Sequence, residues 1–221
     1  MKPVVHPEAS VFKVRILFYL LFLAVPILNG CQNKNYAQIP DKTAKEELQE
    51  IKAEEGQEDL VERGKYLVSS IGCGDCHSPK RLSSLGPEEV PELKLSGYRQ
   101  GQELPAFNKE TLENGWILFS DEFTATVGPW GVSFAANLTS DETGIGNWNY
   151  KQFETAIRKG KYKGMENGRD LLPPMPWPAY AQLSDEDLKA MFAYLKSTKP
   201  VKNAVPAPIP PEKLATLQSK K

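Results

Sequence analysis

Residues 72–77 read Gly-Cys-Gly-Asp-Cys-His, "GCGDCH". The whole chain has three cysteines and two histidines, and this stretch holds two of the former and one of the latter. Each residue type has its own chemistry, so the clustering narrows the choice to three. A redox dithiol of the thioredoxin kind wants a βαβ context around C-x-x-C, and the flanking sequence offers none. A structural zinc site wants four ligands, more than these residues supply. The third choice joins all three side chains. Each thiol adds across a vinyl group of haem, and the histidine that follows lies against the iron, the c-type attachment pattern. Cys73 and Cys76 are then the covalent attachment points and His77 the first axial ligand. C-x-x-C-H occurs once, so the expectation is one haem c.

Working outward, the chain opens with Lys2, Lys13 and Arg15, then the apolar run Ile16 to Leu28, then Asn29-Gly30-Cys31. A basic start, a short apolar stretch and small residues before a cut site describe a secretory signal, assigned to residues 1–30. The run is broken by Pro26 and falls short of the about 17–25 residues that a membrane-spanning helix needs. "LNGC" resembles the bacterial lipobox, which makes Cys31 the lipid attachment site. An uncleaved N-terminal anchor is the alternative. Either way the domain is expected in the bacterial cell envelope, on the periplasmic side, tethered to a membrane.

Removal of residues 1–30 takes His6 with it and leaves His77 as the sole histidine. Ser-His-Asp and Cys-His catalysis with a second histidine then has no base, and a multi-histidine metal site has no ligands. The expectation is that the chain is not an enzyme. A formal net charge of -1 over 221 residues gives no whole-chain field for nucleic acid or an anionic surface.

Residues 31–57 are rich in Glu, Lys and Gln and poor in apolar side chains, which reads as a charged flexible tether. Within it, 43–55 could form a solvated helix. Order is expected to begin near Asp59, opening a domain assigned to 58–199. Leu60, Gly64, Leu67, Val68 and Ile71 make an apolar helical stripe that runs into the motif. Glycine inside a helix costs about 1 kcal/mol, which is tolerable where another helix crosses closely. A second helix is signalled by Asn149 as N-cap with Gln152 three residues on, and by Trp148 and Phe153 as a hydrophobic staple. A third starts after Ser184, with Asp185, Glu186 and Asp187 in its first turn and Leu188, Met191, Phe192 and Leu195 as its stripe. Residues 200–221 read as a Pro-rich tail running extended over the surface. Between 97 and 136, "WILFS", "FTATV" and "GVSFA" suggest small strands. The fold class is therefore mainly α, about three core helices with a small β/loop insertion.

Haem iron needs a sixth ligand or an open position, and without a second histidine the candidate is methionine. Met191 lies in the apolar stripe of the last helix, and Met165 in the polar, Gly-rich "KYKGMENGRD". Met175 sits in "LLPPMPWPAY". Its neighbours Pro173, Pro174, Pro176 and Pro178 restrict φ and reduce the entropy lost on ordering the loop. Leu171, Leu172, Trp177 and Tyr180 are there to exclude water. Met175 is the expected second axial ligand.

From Leu60 to Lys199 the order of parts resembles the class I cytochromes c. A glycine-bearing helix runs into "CGDCH", a tryptophan precedes a middle helix, a Pro-flanked methionine follows, and "MFAYLKS" lies in a last helix. The resemblance implies the cytochrome c fold around one haem, with the first and last helices crossing at Gly64 and Tyr194. It implies that Trp148 donates its indole N–H to a haem propionate. More narrowly, "ANLTSDETGIGNW" and "LLPPMPWPAY" resemble cytochrome c domains of bacterial dehydrogenase electron-transfer subunits. Those commonly carry several C-x-x-C-H units, whereas this chain has one.

The function implied is that of a membrane-tethered monohaem cytochrome c passing single electrons between redox partners. The donor would be a dehydrogenase or cytochrome and the acceptor an oxidase or cytochrome, with no nucleic acid involved. Two alternatives differ in kind. One is a permanent haem subunit of a dehydrogenase or oxidase complex, with Trp116 and Trp130 of the insertion at the interface. The other is a haem enzyme or sensor with an open iron site. Exposed insertion aromatics favour the subunit; buried ones favour a cover over the haem.

Overall fold

The first helix of the chain, α1, runs without a break over Ala44–Ser70, beginning well before Asp59. The computed structural model describes residues 44–218; the expected signal 1–30, the lipid-bearing Cys31 and the start of the tether lie outside the described residues. The described part of the tether is thus helical. Its sequence, "AKEELQEIKAEEGQE", is almost wholly Ala, Leu, Glu, Gln and Lys, the residues that lose least on entering a helix. Growth from an already packed helix also avoids the nucleation step.

Gly72 ends α1 in the left-handed region at φ 75°, and α2, Cys73–His77, follows at once. A short antiparallel hairpin, β1 (Lys80–Ser83) and β2 (Gly86–Glu89), comes next, with Lys80 opposite Glu89. This hairpin is absent from the sequence expectation, because four-residue strands containing Lys, Arg, Pro and Glu carry no apolar alternation. The insertion holds helix α3 (Lys109–Glu113) and strands β3 (Leu118–Phe119), β4 (Ala125–Gly128) and β5 (Gly131–Phe134). They form an antiparallel sheet in the order β3-β4-β5, with Val127 opposite both Leu118 and Val132. The expected small strands are present.

Helix α4, Tyr150–Lys159, begins with the expected reciprocal cap: Gln152 N donates to Asn149 Oδ1 at 2.9 Å, and Asn149 N donates to Gln152 Oε1 at 3.1 Å. Asn149→Ala removes the side-chain acceptor and half of this cap. We expect a loss of about 1 kcal/mol in denaturant unfolding, within the usual 0.5–2 kcal/mol range for such caps. The short α5, Trp177–Tyr180, precedes α6, Asp185–Ser197, whose Ser184 cap accepts from Asp187 N at 3.1 Å. The last element is α7, Leu214–Gln218.

α1 packs across α6 at Gly64. A Cβ there would meet the Ala190 carbonyl oxygen at 1.9 Å and Tyr194 Cβ at 2.8 Å. The crossing needs glycine, as expected, and Tyr194 is the aromatic beside it. Leu67, Val68, Leu95, Ile145, Phe153, Leu188, Met191 and Leu195 form the core around this contact. A second, smaller core of Val127, Val132 and Leu214 lies under the sheet.

The Pro-rich tail differs from the expectation. It is extended, yet it is stitched into the fold rather than laid over it. Asn203 is buried and donates to the carbonyls of Ser96 and Tyr98 at 2.6 and 2.9 Å, while Gln100 N donates to its Oδ1 at 2.8 Å. Ile209 forms a two-way backbone bridge with Val132 at 2.7 and 3.0 Å. Proline lacks an N–H, so such a tail can donate backbone hydrogen bonds only from its few other residues. Here Asn203 and Ile209 supply those bonds.

Candidate cofactor pocket

α2 places Cys73, Cys76 and His77 on one side of a cavity of about 510 Å³, within the 300–1,000 Å³ range of pre-formed ligand sites. The other walls come from the insertion, α4, α6, the 171–176 loop and the tail. β4 and β5 supply Thr126, Ser133 and Phe134, with Thr124 just before β4; α4 supplies Phe153, Ala156 and Ile157; α6 supplies Met191 and Leu195. The loop 171–176 and residues 204–208 of the tail complete it. The lining is mostly apolar, with a few polar groups.

His77 Nδ1 lies 2.7 Å from the Ala136 carbonyl oxygen. A carbonyl can only accept, so Nδ1 carries the proton and Nε2 keeps its lone pair, the arrangement that orients a histidine as a metal ligand. Burial lowers the imidazole's pKa; the Ala136 bond opposes this and the Lys80 charge adds to it. His77 is therefore neutral at neutral pH, as a ligand must be.

The cysteines behave differently from an activated dithiol. Burial, the largest effect, pushes the Cys73 thiol up to about 11, and burial also raises Cys76. The two do not form a disulfide with each other. Dithiol catalysis needs a lowered pKa, so the structure adds to the case against it. Among the described residues no group of three or more His, Cys, Asp and Glu could hold a metal ion, which disfavours the zinc alternative.

Met175 lines the same cavity and is half-buried. Its loop is tied down on several sides. Leu171 N donates to Gly160 O at 2.6 Å, and Ser133 Oγ to Pro173 O at 2.7 Å. Tyr180 Oη donates to Ile71 O at 3.0 Å, which fastens α5 to the end of α1 just before the motif. Arg158 donates to the carbonyls of Ala181 and Leu183, both at 2.6 Å, and pairs with Asp185. A weak ligand such as a thioether needs this kind of external support. Met165 is 51% exposed and does not line the cavity. Met191, 2% exposed, is in the core as expected but also reaches the cavity wall.

Trp148 is half-buried and lines the cavity. Two groups that the sequence reading did not single out also line it, and a third, Lys80, lies outside its lining. Tyr162, Lys163 and Arg169 form a basic rim, with the Arg169 guanidinium 3.7 Å over the Tyr162 ring. Thr124, 1% exposed, has a buried hydroxyl without a partner among the described residues. Lys80 is buried beneath α2. Only the local excess of Lys and Arg in "KGKYKGMENGR" hinted at the rim. Nothing in the sequence marks Thr124 or Lys80, whose positions depend on the pairing of distant segments. Of the insertion tryptophans, Trp116 is 65% exposed, whereas Trp130 is half-buried and donates to Ser133 Oγ at 3.3 Å.

No protein-family model matches the chain. It is 35% identical over 136 residues to the gluconate 2-dehydrogenase cytochrome c subunit of Pantoea cypripedii, covering 61% of this chain and 22% of that protein. It is 30% identical over 151 residues to the cytochrome c subunit of the alcohol dehydrogenase (quinone) of Gluconobacter oxydans (strain 621H), covering 67% and 24%. The fructose dehydrogenase cytochrome subunit of Gluconobacter japonicus gives 31% over 143 residues, covering 64% and 22%. The chain thus spans less than a quarter of the length of these relatives. The shared stretch supports a cytochrome c domain.

Proposed function

We propose that the chain is a monohaem c-type cytochrome of class I that carries single electrons for a membrane-associated dehydrogenase system and is not itself an enzyme. One observation carries this reading: Cys73, Cys76, His77 and Met175, distant in sequence as two groups, line a single largely apolar cavity. In it Cys73 and Cys76 would hold the haem covalently, His77 and Met175 would bind its iron, and Trp148 would serve a propionate. Bound haem supplies a one-electron couple whose potential the axial ligands and the surrounding burial set.

The protein's own residues do the rest. Ala136 holds the His77 ring in the ligating tautomer. Tyr180, Ser133 and Arg158 hold the Met175 loop in place. Phe153, Ile157, Leu195 and the loop 171–176 keep water away. With His77 and Met175 both on the iron, no place would remain for a substrate, which would separate a carrier from an enzyme or sensor with open iron.

Among the described residues no helix is long and apolar enough to cross a membrane. Attachment in this proposal is through lipid on Cys31, outside the described residues, with the domain on the periplasmic side. The donor would be a dehydrogenase subunit, the class that the relatives' names indicate, and the acceptor a further cytochrome or an oxidase. A second reading, a permanent subunit of such a complex, is favoured by the exposure of Trp116 next to Ile117 and Phe119, at 65%, 47% and 46%.

The test is maturation of the full chain in a host that attaches haem c. We expect haem that survives denaturing electrophoresis, and its complete loss in Cys73→Ala/Cys76→Ala. A wild-type chain that takes up no haem would overturn the proposal.

A further inference from the structure

Lys80 stands three residues beyond His77 and is 8% exposed. Its ammonium donates to the carbonyls of Asp75 and Ser78, which flank the Cys76-His77 pair, and to that of Glu122 at 3.3 Å. The Phe123 ring lies over it at 5.4 Å to the centroid. Lysine is almost never buried to this degree unless paired with a carboxylate. Here no carboxylate pairs with it among the described residues. Glu122 is the nearby acid, yet its Oε1 is taken by Arg99 at 2.5 Å. Three carbonyl dipoles hold the cation in place without cancelling its charge.

The position is pointed. The carbonyls at the C-terminal end of α2 carry the negative end of its dipole, which gathers the cation beneath the segment bearing both cysteines and His77. Glu122 and Phe123, from the turn before β4, close over it and keep solvent from screening it. A hairpin (β1–β2) and an insertion turn are thus folded around one uncompensated positive charge beside the site.

We infer that Lys80 raises the reduction potential of the group held by Cys73, Cys76 and His77, and this rests on the functional reading above. The reduced state carries one positive charge fewer than the oxidised one. A fixed cation in a poorly screened environment therefore favours the reduced state by Coulomb repulsion alone. Lys80 touches no axial ligand through its side chain, so it acts by its field and leaves the ligand set unaltered.

The test uses the full haem-loaded chain with Lys80→Met, Lys80→Gln and Lys80→Arg, read by equilibrium redox titration, absorption spectrum and thermal melting. We expect Lys80→Met and Lys80→Gln to keep the wild-type spectrum while the equilibrium constant for reduction falls about tenfold, which is about 59 mV for one electron. Lys80→Arg should stay close to wild type. An intact spectrum with unchanged potential in both neutral variants overturns the inference. So does failure of both to fold or retain haem, because Lys80 would then be a structural clamp. A wild type that takes up no haem instead refutes the functional reading, and Lys80's role falls with it.

Discussion

Met175→Ala is expected to leave haem covalently attached while abolishing the weak sulfur-to-iron charge-transfer band and lowering the midpoint potential by on the order of 100 mV. That is a modest part of the about 0.8 V over which axial ligands move haem potentials. The direction follows from the ligand: a thioether stabilises the ferrous state, and water or an empty position does so less. Attachment should survive, because Cys73, Cys76 and His77 are held by α2 and by the Ala136 carbonyl, independently of the loop that carries Met175. Met191→Leu is the necessary companion, since Met191 also reaches the cavity. It is rooted in α6 within the core, so the leucine variant should keep the band. Absorption spectra of both variants, oxidised and reduced, check this. A band that survives in Met175→Ala and disappears in Met191→Leu would move the axial role to the helix. A wild type without the band, or with a high-spin spectrum, would bring forward the open-iron alternative.

The two halves of this candidate site were unequally legible in the sequence. Cys73, Cys76 and His77 declare themselves because their chemistry depends on spacing along the chain, and spacing is what a sequence displays. Met175, chosen by elimination and by its proline-rich setting, does line the same cavity. The helices bearing the core were also readable, since Asn149 and Ser184 carry cap signals and Leu188 to Leu195 a helical stripe. The parts that escaped are those built by pairing between distant segments. Lys80 looks like an ordinary surface lysine until Glu122 and Phe123, some forty residues later, cover it. Thr124 reads as a strand residue of either face, and its place at the cavity depends on the Ala135 N to Thr124 O bond that extends the β4–β5 pair beyond its last register position. Asn203, in a tail that composition alone describes as extended, is buried because it satisfies two carbonyls and one amide of the 96–100 segment. The helix read over 43–55 is there, but its continuity with the domain's first helix was not legible: charge density argues against a core, but not against a helix grafted onto one.

Gly64→Val is expected to cost about 3 kcal/mol or more of stability and to lower the melting temperature of the haem-loaded protein by well over 5 °C. A Cβ at position 64 would lie 1.9 Å from the Ala190 carbonyl oxygen and 2.8 Å from Tyr194 Cβ. Both atoms belong to the backbone or its first side-chain atom, so no rotamer change relieves the clash and α1 and α6 must move apart. Separation loosens Leu67, Val68, Leu188, Met191 and Leu195 together. Alanine would gain roughly 1 kcal/mol in helix propensity at this position, and it must still accommodate the same Cβ. Gly64→Ala should therefore also destabilise, though less than valine. The damage extends to the pocket, because Ile71, seven residues further on and just past the end of α1, accepts from Tyr180 and so anchors the Met175 loop. Gly64→Val should show a weakened charge-transfer band at temperatures where the helices remain formed, as judged by circular dichroism. A melting temperature unchanged from wild type in both variants would mean that α1 and α6 do not cross at Gly64. A large loss of stability with the band intact would mean that the crossing and the axial loop are mechanically independent.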